Sequence, residues 1–89
     1  MPLPFAAFVL SLASSAAIHF GDLPDPMSGE KVEPNLEGAT QMIEILELLE
    51  EKTRGNLTAE ERQVMEQVLY ELRMRFVTAS GGGKRIIEP

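Results

Sequence analysis

Apolar residues in this chain gather into three long periodic stretches, separated by one long and one short polar connection. The first stretch is FAAFVLSLASSAAIHF, sixteen residues from Phe5 to Phe20 with no charge unless His19 is protonated. At about 100° per residue, Phe5, Phe8, Val9, Leu12, Ala13, Ala16 and Phe20 fall on one broad apolar arc. Leu10 and Ala17 lie at one edge of it. Ser11, Ser14 and Ser15 cluster opposite, joined by Ala7 and Ile18. The polar face is serine, with no charged side chain to hold it in water, so this helix is expected to be covered on most sides. Small residues at Ala6, Ser11, Ser14 and Ser15 would admit a close neighbour.

The second stretch predicts a helix from the N-cap Asn35 to about Arg54. Leu36, Ala39, Met42, Ile43, Ile45, Leu46 and Leu49 form its apolar stripe. Glu37, Gln41, Glu44, Glu47, Glu51 and Lys52 form its wet side, and Leu48 lies among them. Glu50 and Arg54 have the favourable order for an i,i+4 pair. Gly55 suits the residue just past the end. The third helix has the start signal Thr58-Ala59-Glu60-Glu61, a capping box. Val64, Met65, Val68, Leu69, Leu72 and Phe76 make its main stripe. Tyr70, Met74 and Val77 make a second stripe on the opposite side. Its pattern fades near Thr78.

Between the first two helices runs GDLPDPMSGEKVEP, with three prolines and two glycines in fourteen residues. That composition predicts a loop. Asp25-Pro26 and Ser28-Gly29 are turn pairs, and a short extended piece is expected around Lys31–Glu33 because Pro34 biases its predecessor away from helix. The short connection Arg54-Gly55-Asn56-Leu57 predicts an antiparallel hairpin of helices two and three. The fold class is therefore all-α: three helices, with that hairpin and the apolar N-terminal helix packed across it. Residues 1–79 are expected to form a single helical domain. Residues 80–89, SGGGKRIIEP, are expected to be a flexible tail. There are no internal repeats.

Size sharpens this picture. A lone 89-residue chain buries only about 60–65% of the surface its unfolded form exposes. Small domains are usually supported by disulfides, a metal or oligomerisation. The chain has no cysteine and one histidine. Disulfides, thiolate metal sites and a multi-histidine site within one chain are thereby excluded, which leaves self-association. The formal net charge of −6 disfavours a phosphate backbone or an anionic bilayer as the main partner. The absence of cysteine fits a reducing compartment, so the expected location is cytoplasmic.

The opening stretch imitates a signal peptide only at its end, where Leu12-Ala13-Ser14-Ser15-Ala16-Ala17 resembles a cleavage region. No Lys or Arg precedes Lys31, so the positive start is missing. A membrane span usually needs about 20 apolar residues, and this run is shorter and contains serines and a histidine. It reads as a core helix.

Four constellations could carry chemistry. Ser15, His19 and Asp22 have triad-like spacing, but Gly21 should end the helix before Asp22, and no nucleophile turn is present. Back-bonding of Ser15 to a helix carbonyl is the simpler expectation. His19, Asp22 and Asp25 could offer one nitrogen and two carboxylates to a metal. His19 at a helix C-terminus is equally explained by the helix dipole. Arg73, Arg75, Lys84 and Arg85 could meet phosphate, or could complement the helix end and pair with Glu71 or a neighbouring chain. The acidic run from Glu44 to Glu51 reads as a solvated face.

FAAFVLSLASSAAIHFG, LPDPMSGE, EKTRGNLTAEE and LYELRMRFV together resemble a family of small bacterial proteins known as domain of unknown function 1844. The likeness covers Phe5 to Val77 and leaves out the tail GGGKRIIEP. It implies a small helical protein whose apolar helix lies at or near the mature N-terminus, without a cleaved signal. It implies no activity, cofactor or catalytic residue.

The expected function is self-association or assembly, with no catalytic residue, no cofactor and no metal. The expected partner is a second copy or an unidentified protein; nucleic acid and membrane are not expected. Leu10, Ile18, Leu48, Tyr70, Met74 and Val77 are the candidate interface residues, because each is apolar on a face that a lone three-helix chain leaves wet. Helix one and the second face of helix three would supply the contact. The alternatives are a peripheral membrane protein using the N-terminal helix, and a metal protein using His19.

Overall fold

Pro4 sets the entry to the first helix, with φ −63° and ψ 139°. It has no side-chain cap to offer, but its carbonyl accepts the Phe8 N–H at 3.1 Å. In the computed structural model, which describes residues 3–30 and 33–81, α1 spans Phe5–His19, α2 Leu36–Lys52 and α3 Ala59–Ala79. Among the described residues there is no strand.

The helix ends follow from local chemistry. Gly21 adopts φ +83° just past the Phe20 C-cap. The Gly21 N–H then donates to the Ile18 carbonyl and the Asp22 N–H to that of Ala17, each at 2.9 Å. This is a Schellman ending, which only a residue at ease in the left-handed region allows cheaply. The Asn35 side chain accepts the Gly38 N–H at 3.0 Å, capping α2. The capping box of α3 forms as the sequence predicts: Thr58 Oγ1 accepts from Glu61 N–H at 3.1 Å, and Glu61 Oε1 accepts from Thr58 N–H at 2.9 Å.

The end of α2 differs from expectation. It stops at Lys52, with Thr53 as C-cap. The Thr53 hydroxyl donates back to the Leu49 carbonyl at 2.8 Å, and this local bond competes with further helix. Gly55 takes its positive φ of +88° one position later than a C′ glycine would. Arg54 thus lies beyond the helix, and no ion pair joins it to Glu50 among the described residues.

Each helix packs on both others. The core is drawn from α1 and its cap (Val9, Ala16, Phe20), α2 (Ala39, Ile43, Leu46) and α3 (Met65, Val68, Leu69, Leu72). Phe5, Leu12, Leu49 and Phe76 pack against it, half buried. Ala16 and Ala39 are fully buried; with only a methyl group each, they leave room for neighbours to come close. Glu50 and Arg54 share a cleft with Arg62, Met65 and Glu66. Thr40, Ile43 and Glu47 share another with Arg73, Phe76 and Val77. The end of α2 thus meets the start of α3, and the start of α2 meets the end of α3.

The loop after α1 is held by its own turn chemistry. Asp25 Oδ1 accepts from the Met27 N–H at 2.9 Å, the Asp25 N–H donates to Glu30 O at 2.8 Å, and Gly29 sits at φ +74°. The expected extended piece at Lys31–Glu33 falls largely on residues 31 and 32, outside the described residues, as does the tail from 82 onward. Among the described residues, no helix is long and apolar enough to cross a membrane.

Candidate functional site

The C-terminal end of α1, the start of α2 and the last third of α3 meet at one end of the molecule. The Asn35 N–H donates to the His19 carbonyl at 2.6 Å, pinning the start of α2 to the end of α1. Arg75 grips Asp22 with both arms: Nε to Oδ2 at 2.8 Å and Nη2 to Oδ1 at 2.7 Å. The same guanidinium lies 5.2 Å from the ring centre of the buried Phe20, a cation–π distance. The hydrogen bond to Asp22 raises the Arg75 pKa above its ordinary value; desolvation opposes this and the Asp22 charge adds to it.

These contacts occupy the residues that could have done chemistry. The Asp22 carboxylate is committed to Arg75 and Asp25 to its turn. The His19 imidazole packs over Gly38. Neither the triad nor the three-ligand metal set assembles, and among the described residues no group of three His, Cys, Asp or Glu side chains could hold a metal ion. The serine that bonds back to its helix is Ser11, to the Phe8 carbonyl at 2.7 Å, where Ser15 was expected.

The arginines also pair differently from expectation. Arg73 bonds Glu47 of α2 at 2.8 and 3.3 Å. Glu71, its expected partner, instead accepts from Gln67 at 2.6 Å. The basic pair therefore stitches α3 to α2 and to the loop that follows α1. Lys84 and Arg85 lie outside the described residues. Both ion pairs have partly exposed side chains, so each contributes about 0–1 kcal/mol.

The apolar surface is the more distinctive feature. Tyr70 is 63% exposed, Leu48 55%, Leu10 51%, Met74 49% and Val77 40%. Ile18 is half buried. The structure does not bring these six together. Leu10 lines a groove between α1 and α3 together with Val64 and Val68. Val77 borders the α2–α3 cleft. Leu48 joins Phe8, Leu12, Ile45 and Leu49 in a shallow groove of about 190 Å³ between α1 and α2, edged by Lys52.

Phe8 and Ile45 lie on the apolar arcs of α1 and α2, yet neither is buried. They are 37% and 41% exposed. Two neighbours cannot cover an apolar arc as wide as those of α1 and α2, so the residues at the edge stay wet. The breadth of the α2 stripe at Ile43 and Ile45, with Leu48 apolar on the wet side next to it, was the available signal.

The fold is thus an all-α, three-helix protein whose polar clusters are structural and whose surface carries separate apolar patches. A family model described as "Domain of unknown function (DUF1844)" matches residues 2–78, and the chain belongs to that family. No curated protein and no solved structure matches it.

Proposed function

We propose that this chain is a self-associating interaction or assembly module of the cytoplasm, with no catalytic activity of its own. The observation that carries this reading is the amount of large apolar side chain left in solvent on so short a chain. Leu10, Leu48 and Tyr70 are each more than half exposed, with Phe8, Ile45, Met74 and Val77 close behind. Contiguous apolar surface on a small soluble domain marks an interface. A chain of this size gains stability from covering it. The polar clusters support the reading from the other side, since Asp22, Asp25, Arg73 and Arg75 are engaged in holding the fold.

The test is size exclusion with light scattering on the full chain in detergent-free buffer. A dimer or larger species at micromolar concentration supports self-association. A monomer at every accessible concentration overturns it.

A further inference from the structure

The α2 helix carries a self-complementary ridge. Glu44, Leu48 and Lys52 are spaced four residues apart, so they form one inclined row along the helix surface. All three are exposed, and neither Glu44 nor Lys52 takes part in an ion pair among the described residues. The central residue is an exposed leucine. One turn before it stands a carboxylate, and one turn after it an ammonium. Leu48 and Lys52 line the apolar groove with Phe8, Leu12, Ile45 and Leu49, and Glu44, one turn before Leu48, stands at the edge of the α2–α3 cleft.

We infer that a second copy of this chain docks on the α1–α2 face, about a two-fold axis beside Leu48, with Glu44 of each copy meeting Lys52 of the other. The inference rests on the self-association reading and gives it a place. A two-fold axis reverses the direction of the row, so position 44 comes opposite position 52 and Leu48 opposite its own copy. Two such rows align when the helices cross at about 50°, the commonest class of helix packing. The contact then has an apolar centre, made of Leu48 with Phe8 and Ile45, and two charge pairs at its rim. That is the usual anatomy of a specific interface. The outer face of α3 also exposes apolar side chains, but only this ridge places opposite charges at equal steps on either side of its leucine. Charge complementarity to itself is what selects a second copy as the occupant.

The experiment is sedimentation equilibrium on the full chain and five variants, with helix content followed by circular dichroism. Leu48→Arg places like charges at the axis and is expected to weaken the dimer about a hundredfold or more with helix content intact. Glu44→Lys and Lys52→Glu each turn both rim pairs into like pairs, and each is expected to weaken it about tenfold. The double swap Glu44→Lys/Lys52→Glu restores opposite pairing and should recover the wild-type affinity. Tyr70→Glu/Met74→Glu should leave the dimer intact. If that last variant dissociates the dimer while Leu48→Arg does not, the placement is overturned and self-association stands. If the double swap fails to recover, the charge register is overturned. A wild-type chain that never associates overturns both.

Discussion

Gly38 faces the imidazole of His19 so closely that a Cβ at this position would stand 2.6 Å from Nδ1 and 2.9 Å from Cε1. Gly38 lies in the first turn of α2, where its N–H is held by the Asn35 side chain. The missing side chain lets the end of α1 and the start of α2 come together, and the His19 ring fills the space.

Gly38→Ala tests this contact through a change of sign. In a helix, alanine is favoured over glycine by about 1 kcal/mol. Here the methyl group meets the imidazole, and the substitution should destabilise the protein by about 1–2 kcal/mol. In a His19→Ala background the obstacle is gone, and the same substitution should stabilise. Urea unfolding of the four proteins in the cycle measures the coupling; an unchanged sign would refute the contact.

Arg75→Ala should cost about 1–2 kcal/mol by loss of the two-armed bond to Asp22 and of the stack on Phe20. Arg75→Lys should recover less than half, since an ammonium cannot bridge both carboxylate oxygens in one plane. In the folded state the hydrogen bond to Asp22 raises the Arg75 pKa, so its contribution is present below the unfolded pKa and is lost only as pH rises through the folded one. That window is strongly alkaline. Between neutral pH and mild alkalinity, the Arg75→Ala penalty should therefore stay constant in parallel denaturant titrations.

The capping box gives a local test. Thr58→Ala removes the acceptor for the Glu61 N–H and should cost about 1 kcal/mol. Thr58→Ser should be nearly neutral. Thermal melts by circular dichroism distinguish them, and equal melting points for the alanine and serine variants would sink the claim.

Core and surface apolar residues should separate cleanly. Leu46 and Met65 are fully buried, and truncating either to alanine should cost about 2–5 kcal/mol. A domain this small has little to spare, so part of the population should unfold at room temperature. Met74→Ala, at an exposed position of the same chain, should stay within about 0.5 kcal/mol in the monomer. Unfolding monitored at low protein concentration checks both.

The sequence by itself determined the elements. Three periodic stripes, the Asn35 cap, the Thr58–Glu61 box and Gly21 at the end of α1 are local features. Their physics acts within a few residues, so it can be read along the chain. The main buried positions, from Val9 and Ala16 to Leu46, Met65 and Leu69, follow from the same periodicity. What only the tertiary structure decided is how the helices turn toward one another. That rotation left Phe8 and Ile45 exposed on the apolar arcs of α1 and α2. It drew Arg75 to Asp22 and Arg73 to Glu47, partners 53 and 26 residues away, in place of neighbours on their own helix. It also placed Leu10, Leu48 and Val77 in three separate grooves. Periodicity gives the width of an apolar stripe but not which part of it a neighbouring helix covers. Long charged side chains then settle on whatever carboxylate that packing brings within reach.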